Sequence, residues 1–187
     1  KKYFAQDLLN EMLDAAGEAV SLRDDQVFFH HLIVQRKMIP LPVFLEHASP
    51  EDCERAVISL GYCIKNNAAG NIFNRDLDGR NYGVGSHTRV YLFDYDALEA
   101  FTEVKIRSNS ERDDGEEDIP DWYFEDGVIF LPEEIEWGLR ISDPKLRSLF
   151  RMKHGDLTRV DYWERIQEEL REDMVPQIQV YPDSCRL

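Results

Sequence analysis

The sequence predicts an α+β fold, a mostly helical body with one short β-hairpin at its middle. Three observations carry that expectation. Apolar residues recur at helical spacing in several stretches, most clearly Cys53, Ala56, Val57, Leu60, Ile64 and Ala68. Proline follows a capping residue at Ser49-Pro50 and at Asp143-Pro144, a pairing that starts helices. Two β-rich runs, Tyr82–Val84 and Arg89–Phe93, flank Gly85-Ser86-His87-Thr88, which suits a hairpin loop.

Taken in order, Ala5, Leu8, Leu9, Met12, Leu13 and Ala16 form the apolar stripe of a first helix that frays near Gly17. Arg23-Asp24-Asp25 turns the chain into a strand over Gln26–Val34, and Pro40 and Pro42 interrupt regular structure after it. Ser49-Pro50-Glu51-Asp52 opens the longest helix with acids at the positive end of its dipole, and Gly70 suits its end. Asn71–Asn81 has no period and reads as a loop. Later helices start at Pro132, at Ser142-Asp143-Pro144 with an end at Gly155, and near Asp161.

Composition narrows the function. A chain of 187 residues with 43% apolar content can bury a core as one domain. No apolar run approaches the ~18 residues that span a bilayer, and no apolar segment follows Lys1-Lys2 as a signal peptide would require. Cys53, Cys63 and Cys185 have neither disulfide nor zinc spacing, which points to a reducing cytoplasm. With 37 acidic against 22 basic residues the net charge is -15, a surface that repels nucleic acid. Glu111–Asp118 reads as a solvated acidic loop. The start at Lys1, without an initiator Met, fits a piece of something longer.

The chemistry concentrates after the longest helix. Ile72-Phe73-Asn74-Arg75-Asp76-Leu77-Asp78-Gly79-Arg80-Asn81 holds an Asp and an Asn five residues apart, and Asp94 follows the apolar strand Val90-Tyr91-Leu92-Phe93. Helix, loop with Asp and Asn, hairpin, then a second Asp is the order found in protein kinases. Phosphoryl transfer needs a carboxylate to take or orient the acceptor proton, an oxygen ligand for a divalent cation on the same loop, and a second carboxylate returned by the hairpin. Arg80, beside Asn81, is placed to offset charge on a transferring phosphoryl group.

Longer stretches strengthen this reading. Phe28–Leu45 (FFHHLIVQRKMIPLPVFL), Ile64–Gly83 (IKNNAAGNIFNRDLDGRNYG), Val90–Asp96 (VYLFDYD), Thr102–Arg107 (TEVKIR) and Phe130–Glu134 (FLPEE) run in order. Together they resemble the isocitrate dehydrogenase kinase/phosphatase family. The resemblance implies a protein-kinase-like C-terminal lobe of an ATP-dependent enzyme that phosphorylates and dephosphorylates isocitrate dehydrogenase on serine. It implies Asp76 and Arg80 as catalytic residues, and Asn81, Asp94 and Asp96 as ligands of Mg²⁺ or Mn²⁺. Gln35, Arg36, Lys37 and Met38 would form the hinge whose backbone faces the adenine of ATP, ADP or AMP.

The expected organisation is a single domain over residues 1–187. Residues 1–40 would form a helix and hinge-leading strand, and residues 41–187 the helical lobe; the N-lobe and regulatory domain are absent, and a homodimer is a further expectation. Family members carry a Lys where Arg80 stands and an acid at Ala97, a loss that bears on phosphatase more than on kinase activity. The competing reading is a kinase-like lobe that has lost catalysis and serves as a protein-binding module.

Other motifs have plainer readings. His154-Gly155-Asp156-Leu157 resembles the catalytic signature of small-molecule kinases, but no strand ending in Asp follows it, so a helix end is expected. His30 and His31 alternate on a strand and cannot readily share a metal. Leu131-Pro132-Glu133 suits a helix start as well as a kinase Ala-Pro-Glu equivalent. Trp122, Tyr123, Phe124 and Trp137 are expected in the core or in lobe packing.

Overall fold

The computed structural model describes residues 3–32, 37–109, 126–174 and 176. It divides into two compact units, Lys1–Lys37 and Met38–Leu187. Within the first unit, helix α1 (Gln6–Ala16) matches the apolar stripe read from the sequence. Strands β1 (Val20–Arg23) and β2 (Gln26–Phe29) form a hairpin in register from Val20↔Phe29 to Arg23↔Gln26. Asp24 takes φ 51° to close the turn, a conformation that Asp adopts more readily than most residues. The expected strand over Gln26–Val34 therefore ends early, and its partner β1 is an element that the sequence does not announce.

The second unit begins with β3 (Ile39–Pro40) and α2 (Leu41–His47). Pro40 and Pro42 do not end regular structure here. Pro40 caps α2 and Pro42 sits in its first turn, where a missing N–H costs nothing. Next comes α3 (Pro50–Ala69), capped by Ser49, whose Oγ accepts from the Asp52 backbone N–H at 3.2 Å. Its buried face carries Cys53, Ala56, Val57, Leu60, Ile64 and Ala68, all six of the residues read as apolar, and packs against α5 (Pro144–His154).

The segment read as a loop contains strand β4 (Ile72–Asn74), followed by a 3₁₀ turn at Gly79–Asn81. Then come β5 (Tyr82–Val84), β6 (Val90–Leu92) and β7 (Leu98–Ala100). The expected hairpin is present as β5–β6, with His87 and Thr88 in left-handed conformations at its tip. It forms the antiparallel sheet β3-β5-β6, while β4 pairs antiparallel with β7. β8 (Lys105–Ile106) and β9 (Ile129–Phe130) are parallel. The last helices are α4 (Ile135–Leu139), reached through a 3₁₀ turn at Pro132–Glu134, then α5 and α6 (Val160–Arg171).

An aromatic cluster holds the sheets to α6. Trp163 sits edge-on to Phe101 and Phe130, with centroids 5.4 and 4.9 Å away, and Phe73 lies 4.8 Å from Phe130. Offset and edge contacts of this kind add to the area that the rings bury. The Trp163 indole N–H donates to the Leu157 carbonyl, and the Gln167 amide donates to the carbonyls of Phe101 and Val104. Both polar groups are buried and satisfied, so they fix the register of α6 on the sheets.

His154, at the end of α5, is wholly buried. Its Nε2–H donates to the Ile58 carbonyl at 2.9 Å, and a Cβ on Gly61 would fall 2.2 Å from its ring. Burial, reinforced by the Lys65 cation, pushes its pKa down to about 4. An unfolded imidazole titrates near 6.5, so the unfolded state takes up a proton first as pH falls. Stability is therefore full above pH 6.5 and is lost towards pH 4, at up to ~1.4 kcal/mol per pH unit. Urea unfolding between pH 7 and 5 should show this slope, and His154→Gln should remove about one proton's worth of it. Equal slopes in both proteins would mean that His154 is not held neutral.

Candidate functional site

Two ladders close on one pair of loops. In the β5–β6 hairpin Tyr82 faces Leu92, and one step further the Phe93 N–H donates to the Asn81 carbonyl at 3.0 Å. In the β4–β7 pair Asn74 faces Leu98, and one step further the Arg75 N–H donates to the Ala97 carbonyl at 2.9 Å. The loop from Arg75 to Asn81 is thus clasped at both ends against the loop from Phe93 to Ala97. Asp76, Arg80 and Asn81 lie on the first loop, Asp94 and Asp96 on the second. All five thus lie on one pair of loops that is held between the two sheets.

Side chains set the shape of each loop. The Asn74 Oδ1 accepts from the Asp76 N–H at 3.1 Å, an Asx turn that starts the first loop. Asn81 donates through Nδ2 to the Asp76 carbonyl at 2.9 Å, bridging the five-residue spacing seen in the sequence. Asp94 Oδ1 accepts from the Asp96 N–H at 3.3 Å. Asp76 and Asp96 are exposed, while Asn81 and Asp94 are half-buried. Among the described residues no group of three His, Cys, Asp or Glu is gathered to hold a metal ion.

Sequence reasoning passes over Asp78, which organises this loop. Its side chain is buried and takes three hydrogen bonds from Arg80: one from the backbone N–H and two from the guanidinium, at 2.8, 3.0 and 2.8 Å. Arg140 Nε lies 3.2 Å from the same carboxylate. The Arg80 hydrogen bonds hold the Asp78 carboxyl below its ordinary range, against the opposing effect of burial. Arg80 is therefore committed to Asp78 rather than standing free beside Asn81. No signal in the sequence separates Asp78 from its neighbour Asp76.

Glycine makes the closest approach. A Cβ on Gly79 would fall 2.3 Å from the Leu139 carbonyl oxygen, and one on Gly138 would fall 3.4 Å from that of Leu77. The end of α4 thus presses its backbone onto the loop. Gly83 plays a similar part: a Cβ there would meet Met38 at 2.8 Å and the Phe93 ring at 3.0 Å. Met38 so comes to lie over the base of the hairpin. Lys37 is exposed, and Gln35 and Arg36 lie outside the described residues.

A cleft of about 360 Å³ opens beside Asp76, lined by loop residues 75–78, by Phe73, Ile129 and Phe130, and by α4. Trp137, expected in the core or in lobe packing, stands at its rim with 81% of its surface exposed, which rules out the core. It is kept out of the core because the buried positions of α4 are Ile135 and Leu139, and Trp137 falls on the opposite face. Trp122, Tyr123 and Phe124 lie outside the described residues, as does the acidic run Glu111–Asp118.

The signature at His154–Leu157 is built into the structure instead. Lys65 Nζ pairs with Asp156 at 2.6 Å and lies over the Tyr162 ring, and Asp161 pairs with Arg159 at the start of α6. His30 bonds Ser21 across the first hairpin at 2.8 Å.

Fold and site together define a mixed α+β domain whose candidate centre is a pair of short loops on which Asp76, Asn81, Asp94 and Asp96 offer side-chain oxygens, the donor type of hard divalent cations. Comparison with known proteins gives the family. A model described as the isocitrate dehydrogenase kinase/phosphatase (AceK) kinase domain matches residues 1–183, and the chain belongs to that family. Two proteins named isocitrate dehydrogenase kinase/phosphatase, from Rhodopseudomonas palustris strains BisB5 and HaA2, are 52% and 50% identical over 184 residues. That alignment covers 98% of this chain but 29% of each relative.

The backbone contact at Gly79 yields a test. Gly79→Ala should lower stability by about 1–3 kcal/mol, because Leu139 must move to admit a methyl group. Thermal melting reads this directly, and an unchanged midpoint would show that the loop and α4 are not in contact.

Proposed function

We propose that this chain is the kinase-like C-terminal lobe of an ATP-dependent enzyme that phosphorylates and dephosphorylates isocitrate dehydrogenase on a serine. Family membership supports the enzyme class and the names of the relatives support the substrate. The observation that carries the catalytic reading is the closure of the two loops: Asn81 bonded to the Asp76 carbonyl, and Phe93 bonded to Asn81.

In this reading Asp76 accepts the proton of the serine hydroxyl. The serine oxygen forms a bond to the γ-phosphorus while the bond to ADP breaks, and ADP leaves. Positioning and electrostatics supply most of such catalysis, so the loop geometry matters more than any unusual acidity. Asn81 and Asp94, with Asp96 beside them, would hold Mg²⁺ or Mn²⁺, which when bound neutralises charge on the phosphates. The residues fit: two hard oxygens from the protein are what Mg²⁺ takes when phosphates and water complete its shell. Arg80 acts by pinning the loop through Asp78. The backbone of Gln35–Met38 would face the adenine of ATP, ADP or AMP.

In the full-length enzyme, Asp76→Asn and Asp94→Asn should each cut phosphoryl transfer to isocitrate dehydrogenase by ~10²-fold or more with little change in melting temperature. Turnover within a few-fold of the parent in either variant would sink the assignment. Mn²⁺ added to the labelled chain should broaden NMR signals around Asn81 and Asp94. Broadening centred on His154–Asp161 instead would move the site.

A further inference from the structure

We infer that Arg140 is a positioning residue for phosphoryl transfer: from the end of α4 it holds, through Asp78, the loop on which Asp76 and Asn81 stand. The inference rests on the phosphoryl-transfer reading above and adds what keeps that loop in place against its neighbour. Its first ground is the backbone of Arg140 itself. The residue follows α4 directly and takes φ 52° and ψ 35°, a left-handed conformation that few residues besides Gly, Asn and Asp adopt. Helices that end in this way usually place glycine at that position. Here the glycine stands two residues earlier, at Gly138, and an arginine takes the left-handed place. Leu139 and Ile141 on either side are buried, so the core holds the strained residue where it is. A residue kept in an unfavourable conformation points to a use for its side chain.

That use is the Asp78 carboxylate. Arg140 Nε lies 3.2 Å from it, and the carboxylate is buried. Arg80 also bonds Asp78, yet the two share one loop, so their bonds shape the loop without fixing where it stands. Among the described residues, Arg140 is the charged partner that reaches Asp78 from outside the loop. Asp78 is tied in turn to both functional residues. Its carbonyl accepts from the Asn81 N–H at 3.0 Å, and the Asn81 side chain donates to the Asp76 carbonyl at 2.9 Å. The two contacts at the end of α4 act in opposite senses. The Leu139 carbonyl, 2.3 Å from where a Gly79 Cβ would fall, stops the loop from moving closer. The attraction between Arg140 and Asp78 opposes its moving away. Transfer that depends on the placing of the base and the metal ligand is sensitive to both.

The test uses the full-length enzyme, with dephosphorylated isocitrate dehydrogenase as acceptor. Glycine takes a left-handed φ without strain, so Arg140→Gly should melt no lower than the parent. Its kcat should nevertheless fall ~10-fold, with KM for ATP and for the acceptor within about twofold of the parent. A merely structural residue would lose stability and activity together. Arg140→Lys keeps a cation beside Asp78 and should hold kcat within about threefold of the parent. In an Asp78→Asn background, Arg140→Gly should change kcat by less than about twofold, because the partner through which it acts is gone. Parental kcat in Arg140→Gly, a loss shared in full by Arg140→Lys, or an undiminished loss in the Asp78→Asn background overturns the inference. Asp76→Asn separates it from the reading beneath. An inactive Asp76→Asn beside a fully active Arg140→Gly leaves the catalytic assignment standing and removes the role of Arg140. An active Asp76→Asn removes both.

Discussion

Everything around the candidate site hangs from the ring cluster of Phe73, Phe101, Phe130 and Trp163. Each ring comes from a different part of the chain. Phe73 sits on the strand that leads to Asp76, Phe101 follows the strand after Asp96, Phe130 forms the cleft floor, and Trp163 gathers them from α6. Short strands of two or three residues have little stability of their own. Here their apolar side chains are locked into one core, and the polar loops between them inherit a fixed position from it. Gln167 extends the arrangement by satisfying the carbonyls of Phe101 and Val104, on either side of the turn after β7.

The loop itself is governed by a second constraint, the buried Asp78 carboxylate. A charge taken out of water must be matched, and Arg80 and Arg140 do so from two elements. Both guanidiniums remain largely exposed, which keeps the cost of the pair low while fixing its geometry. Asp76 is thereby left facing solvent two residues away. Two acids of the same loop have opposite fates because one has donors converging on it and the other does not.

How much of this is legible in the sequence follows the range of the interactions. Caps at Ser49-Pro50 and Asp143-Pro144 act within one turn, and both helices begin where those residues place them. The β5–β6 hairpin is also local and readable from its loop. Strand β4 is hidden, because its three residues become a strand only through Leu98–Ala100, beyond the hairpin. Pro40 and Pro42 look like breakers because the same residue that stops one element can start the next. Trp137 suggests burial by its type, whereas its place on a five-residue helix is decided by which face meets the core. The spacing of Asp76, Asn81 and Asp94 is visible in the chain. The clasp that joins them is not, since it consists of backbone bonds one step beyond each ladder.

The meeting of Gly79 with Leu139 and of Gly138 with Leu77 has a thermodynamic consequence. At these two glycines helix α4 and the loop approach each other through main chain, which cannot flex and absorb a displacement as a long side chain could. Whatever shifts α4 shifts the loop, and the reverse holds by the same free energy. A ligand that shifted either element would bias the other, and linkage would make that bias mutual. Two glycines, by their lack of bulk, turn a neighbouring helix into a lever.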